Sequence, residues 1–248
     1  MGTDIHMAAE VRKNGKWHLV TECVFPHYDF DYNKEKGKWE SKVSDKKTFC
    51  PYDNRNYDLF AMLADVRNGF GFAGCVTGEH INPISKPKGY PEDMCDELRS
   101  DLGEHDDDWW DSEEYDKRPH LSDEHSGSYL TLKELLAYDW TQGHCTQGYL
   151  SKEEYASSIY RGEHPNSWCG GVGGKGVVHV SEETMRKIIE GTYPVKPDEQ
   201  YYVFCTFPSE TYAKKAGEFY DLTIPALKTL IPEGGTEEDV RIVFDFDS

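Results

Sequence analysis

An α+β fold is expected: mainly antiparallel sheet with several amphipathic helices and long Gly/Pro loops. Three observations predict it. Runs of strand formers stand at both ends of the chain. Helices announced by capping residues stand between them. No internal repeat and no linker-like stretch divides the 248 residues, so residues 1–248 are expected to form a single domain.

The elements follow in order. Residues 5–11 and 16–24 flank Asn14-Gly15, the pair favoured in tight hairpin turns, and predict a first β-hairpin. Tyr28, Phe30 and Tyr32 alternate with polar residues, and Trp39 to Val43 can return, so 28–49 predicts a second. Leu59, Phe60, Leu63 and Val66 share one helical face, predicting a helix over 57–67 that ends at Asn68-Gly69. A Gly- and Pro-bearing loop over 69–91 follows. The spacings Thr131…Glu134 and Ser151…Glu154 are capping boxes for helices over 132–140 and 152–160. A Gly-rich stretch, 169–176, runs into a strand at 177–180, and Ser181 caps a helix to Glu190. Residues 201–207 read as a buried strand. Residues 211–230 read as helix interrupted at Pro225, and 240–246 as an alternating closing strand. The first and last strands are expected in one sheet, since chain ends of compact domains lie close together.

Composition bounds the function. The hydrophobic share of 37% and aromatic share of 13% support a packed core. With 46 acidic against 27 basic residues the net charge is −19, which repels nucleic acid at long range. Fifteen acidic and three basic residues crowd into 92–124, which reads as an acidic flap or insertion containing Asp106-Asp107-Asp108-Trp109-Trp110. A docking face or nucleic-acid mimic is the sharper reading of that segment, and it lacks the glycine and third acidic ligand of an EF-hand. No run of 18 apolar residues is present, and the first residues carry no basic-then-apolar leader, so a cytoplasmic protein with no membrane contact is expected. Seven cysteines without a C-x-x-C pair read as reduced thiols.

Candidate chemistry is spread along the chain. Gly171-Val172-Gly173-Gly174-Lys175-Gly176 fits G-x-G-x-x-G, but a strand rather than a helix follows, and no Ser or Thr follows Lys175. Both the dinucleotide-fold and P-loop readings fail there. What remains is a loop whose backbone N–H groups, at Gly173 for example, and Lys175 face an anion. Arg55-Asn56-Tyr57 precede an apolar helix. Arg55 can fork onto a phosphate, Asn56 can read a base or sugar edge, and Tyr57 can stack. Arg67 is a second phosphate candidate. Tyr138, Trp140 and Tyr149 are candidate stacking platforms for a purine. Asp4, His6 and His125 are candidates for a metal site assembled across loops, although no H-x-H or H-E-x-x-H spacing occurs. His144-Cys145 forms a poor nucleophile dyad, because sequence neighbours rarely point correctly for proton transfer.

Several segments together carry a resemblance. Met1-Gly2-Thr3-Asp4-Ile5-His6, the run from Arg55 to Gly69, the run from Leu130 to Trp140, and Asp239-Val240-Arg241-Ile242-Val243-Phe244 resemble a widespread family from bacteriophages and phage-like bacterial loci. The chain departs from it at Gly127, where the family pattern implies a second histidine beside His125. The resemblance implies a phage context, hence the host cytoplasm, and by class analogy an anti-defence role. The expected function is sequestration of a nucleotide-derived immune signal, such as a cyclic ADP-ribose-like molecule or a cyclic dinucleotide, with no cofactor and no catalysis. The alternatives are a phosphodiesterase using Asp4, His6, His125 or His179, and an acidic inhibitor of another protein. The expected partner is a small nucleotide, not a nucleic acid, and homo-oligomerisation is left open.

Overall fold

The computed structural model describes residues 2–33, 38–71, 74–78, 80–103 and 117–247. Asp106, Asp107, Asp108, Trp109 and Trp110 of the acidic segment lie outside the described residues. The α+β class read from the sequence is the class of the structure. Its contacts fall into two compact units. The terminal unit holds Gly2–Val66, Asn82–Trp140 and Ala213–Ser248, and the inner unit holds Arg67–Ile81 and Thr141–Tyr212. The chain passes repeatedly between them, so no linker in the sequence marks the division.

The terminal unit is built on a four-stranded sheet of β1 (Ile5–Lys13), β2 (Lys16–Leu19), β5 (His125–Thr131) and β11 (Val240–Phe246), in the order β2-β1-β11-β5. Asn14 and Gly15 both adopt positive φ, at 52° and 77°, and close the expected two-residue turn between Lys13 and Lys16. The first and last strands pair antiparallel, with Met7 opposite Phe244 and Val11 opposite Val240. A separate two-stranded ribbon, β3 (Phe25–Asn33) and β4 (Lys38–Thr48), is the second hairpin.

β11 alternates as expected, but neither of its faces meets water: all seven residues are buried. Ile242, Phe244 and Phe246 share the face of Met7, and Phe246 lies 5.0 Å from Phe60 of the buried helix α1 (Tyr57–Ala64). On the other face Val243 packs with Ala8, Met94, Leu98 and Leu121. That face also buries three charges. Arg241 Nε meets Glu10 Oε2 at 2.7 Å, and its Nη1 meets Asp93 Oδ1 at 2.7 Å. The guanidinium lies 3.8 Å from the Trp17 ring centre. Asp245 accepts hydrogen bonds from the Tyr90 hydroxyl at 2.6 Å, from Ser122 and from the Asp123 N–H. Each buried charge thus has partners, as burial in a low-dielectric interior requires. Tyr90 also accounts for Gly127: a Cβ there would lie 2.7 Å from the Tyr90 ring, so a histidine at 127 would displace the ring that binds Asp245.

Four helix boundaries differ from expectation. The helix expected over 152–160 ends at Ser157, where Ser158 leaves the helical region at φ −123° and a single tighter turn, Ile159–Arg161, follows. α1 stops at Ala64 rather than 67, because Asp65 turns left-handed at φ 60° and its N–H bonds back to Ala61. Asn68 is not a helix end; its amide makes two hydrogen bonds to the Ile81 backbone. α3 (Leu132–Ala137) carries the full Thr131/Glu134 capping box but ends before Trp140. The 211–230 stretch breaks at Gly217, φ 52°, followed by a wide turn over Phe219–Thr223. Pro225 sits in the first turn of the following helix, Ile224–Lys228, where its missing N–H costs nothing.

The inner unit has a three-stranded sheet of β7 (Gln147–Ser151), β8 (Val177–Val180) and β9 (Gln200–Thr206), ordered β7-β9-β8. β7 runs antiparallel and β8 parallel to β9. The helices Lys152–Ser157 and Glu182–Ile189, capped by Ser151 and Ser181, supply Tyr155, Met185 and Ile188 to one sheet face. Leu150, Tyr201, Val203 and Cys205 point into that core from the strands.

Candidate functional site

The other face of the inner sheet is where the geometry becomes informative. β9 is not buried on both sides, as 201–207 implied. Its residues alternate, with Tyr201, Val203 and Cys205 inward and Gln200, Phe204 and Thr206 exposed. Register places Tyr149 of β7 opposite Phe204, and His179 of β8 opposite Tyr202. The Tyr149 ring lies 4.9 Å from Phe204 and 4.7 Å from the His179 imidazole. Phe204 is 41% exposed, which is unusual for a Phe at the centre of a sheet, and His179 is exposed.

This face is electrostatically distinct from the rest of the chain. Its residues are Gln147, Tyr149, Ser151, Val177, His179, Gln200, Tyr202, Phe204 and Thr206. None is acidic, in a chain with 46 acidic residues. A planar ring with a partial positive edge or an attached anion would meet no carboxylate here, and would meet aromatic faces able to stack.

The Gly-rich loop adjoins the face. His179 Nε2 lies 2.9 Å from the Val172 carbonyl, and Gln200 donates its N–H to Gly176 at 2.7 Å, so both ends of the loop are tied to the sheet. Gly176, at φ 85°, passes close to the Asp198 carbonyl, which lies 2.7 Å from where a Cβ would stand. Gly173 has open space around it, and Lys175 is exposed. Gly173 and Lys175 therefore belong to a loop anchored beside the rings of Tyr149 and His179.

The other sequence candidates have structural employment. Arg55 forks onto Asp4, with Nε–Oδ1 at 2.7 Å, and this hydrogen bond holds the Asp4 carboxyl below its usual range. Both partners are about half exposed, so water and salt screen the pair. Asn56 caps α1 by accepting from the Leu59 N–H, and its amide donates to the Lys215 carbonyl at 2.8 Å. The Tyr57 hydroxyl accepts from the Thr3 N–H, and its ring packs against Phe60. Arg67 lies in the inner unit and the other three in the terminal unit. Tyr138 donates its hydroxyl to the Asn82 carbonyl and sets its ring edge-on to Trp140. Trp140 is buried, with its indole N–H on the Leu135 carbonyl at 2.8 Å, so it presents no open face for stacking.

Asp4 and His6 stand at a hollow of about 350 Å³, with Cys50, Asp53, His120 and Asp247. His6 Nε2 lies 3.1 Å from Asp247 Oδ2. His120 and Arg118 bind the buried Asp101; burial raises that carboxyl, but these hydrogen bonds more than offset it and leave it below its ordinary value. His125 stacks on Phe246 and meets Ser126 Oγ at 3.0 Å. Among the described residues no group of three or more His, Cys, Asp or Glu is arranged to hold a metal. Burial pushes the Cys50 thiol up to about 12. At pH 8 only roughly one thiol in ten thousand is then thiolate, so Cys50 is expected to resist iodoacetamide while exposed Cys23 is alkylated. Peptide mass spectrometry of briefly labelled native protein checks this, and equal labelling of the two would show that Cys50 is open and ionisable.

No helix among the described residues is long and apolar enough to cross a membrane. Comparison of the chain with protein-family models, curated proteins and solved structures finds no match.

Proposed function

We propose that this chain binds and sequesters a small nucleotide-derived molecule, stacking its base on the open aromatic face of the inner sheet. The observation that carries the reading is the contiguous set of half-buried Tyr149 with exposed His179 and Phe204, on a sheet face without carboxylates and bordered by the Lys175 loop. Stacking on aromatic side chains is worth roughly 1–3 kcal/mol per base and tolerates any base. It also suits a protein whose net charge of −19 works against phosphate at long range. The phage anti-defence role, in which the captured molecule is an immune signal, rests on the sequence resemblance together with this face.

Titration with cyclic nucleotides and ADP-ribose derivatives, followed by calorimetry, tests the reading. Phe204→Ala is expected to weaken binding by about 5- to 150-fold, while the melting curve moves little, because the ring is largely outside the core. Raising salt is expected to leave affinity unchanged or to increase it, the reverse of phosphate-driven binding. Ligand recovered intact after heat denaturation supports sequestration, whereas a new product identifies a phosphodiesterase. Unchanged affinity in Phe204→Ala would remove this face from the site.

A further inference from the structure

We infer that the aromatic face takes two nucleobases side by side, so that its ligand class is a dinucleotide rather than a mononucleotide. This rests on the stacking reading above and adds the number of bases. Tyr202 and Phe204 point to the same side of β9, two residues apart, and therefore stand about 6.5–7 Å from each other along the strand. That separation gives each of two bases its own ring on the sheet, as in sheet-surface recognition of single strands.

The cross-strand neighbours of the two positions, Tyr149 and His179, themselves touch at 4.7 Å. Phe204 faces Tyr149, and their rings touch edge-on at 4.9 Å. Tyr202 faces His179 on one side and Ser151 on the other. One base is therefore served by Phe204 and the next by Tyr202, with the Tyr149–His179 ring pair shared between them. Beyond Tyr202 the face continues into a hollow of about 440 Å³, whose polar lining is Ser151, Lys152, Glu153, Lys196, Glu199 and Gln200. It offers hydroxyl and amide groups to a sugar, and its two ammonium groups are matched by two carboxylates. Lys196 and Glu199 pair at 2.7 Å, leaving this end near neutral locally. The second stack adds affinity without any new charge.

The test compares the dinucleotide ApA with AMP on the full chain by calorimetry. ApA is expected to bind at least about tenfold more tightly, corresponding to one further stacked base. Phe204→Ala and Tyr202→Ala should each bring ApA down to about the affinity of AMP. Melting curves confirm that both variants are folded, and Tyr202→Phe, which keeps the ring, should restore ApA binding. Equal affinity of ApA and AMP, with Phe204→Ala weakening both, would overturn the two-base assignment while leaving single-base stacking in place. Absence of binding by both probes would overturn the stacking reading itself, and this inference with it.

Discussion

Deleting residues 241–248 is expected to abolish soluble folding. β11 is an interior strand of the terminal unit's sheet, paired with β1 on one side and β5 on the other. Ile242, Val243, Phe244 and Phe246 are all at 0% exposure. At roughly 1.5–3 kcal/mol for each buried side chain, their loss removes about 6–12 kcal/mol of apolar burial. That is comparable to the whole stability of an ordinary domain, about 5–15 kcal/mol. Polar groups left behind add to the deficit. Glu10 loses the Arg241 guanidinium, and the Ser122 and Asp123 N–H groups lose the Asp245 carboxylate. Circular dichroism and gel filtration of the truncated chain decide the matter, and a soluble product with an unchanged melting temperature would contradict the central role given to this strand.

The largest single-residue effect is expected at Arg241. Its side chain is 3% exposed, and it ties together Glu10, Asp93 and the Trp17 ring. Arg241→Met keeps much of the volume but strands the Glu10 carboxylate at 0% exposure. Removing one partner of a buried pair costs about 3–5 kcal/mol, because the remaining charge stays desolvated. Glu10 also accepts the Cys95 N–H at 2.7 Å, so Glu10→Gln preserves an acceptor there while removing the charge. Adding Glu10→Gln to Arg241→Met should therefore recover part of the loss. Urea denaturation of the two single variants and the double variant gives the coupling directly. A loss below ~1 kcal/mol for Arg241→Met would mean that water reaches the site.

Features that depend on a few neighbouring residues were legible in the sequence. The Asn14-Gly15 turn, the Thr131/Glu134 capping box and the Ser151 and Ser181 caps each rest on one backbone group and one side chain within four residues. The pairing of first and last strands was also legible, because both are apolar and the ends of a compact chain converge. Helix ends were less so: Asp65 and Asn68 are both able to turn left-handed, and only the contacts of Asn68 with Ile81 assign it another task.

The candidate site was half legible. Tyr149, Gly173 and Lys175 were marked by their polar, glycine-bearing surroundings and His179 only as an acid–base candidate, whereas Tyr202 and Phe204 were not marked. Tyr201-Tyr202-Val203-Phe204-Cys205 is apolar at every position, so no period-two signal distinguishes the covered side from the open one. The same limit hid the charges beneath β11. Alternation places Arg241 and Asp245 on one side of the strand, but it does not say whether water or the 90–123 segment lies there.

The sequence by itself determined the α+β class, the hairpins, the caps and the strand faces, because these follow from local backbone preference and side-chain periodicity. Tertiary structure alone decided which faces are covered. It buried Trp140, committed Arg55 to Asp4 and left Phe204 open. Burial depends on what a distant segment packs against, and that is a property of the folded chain rather than of any window along it.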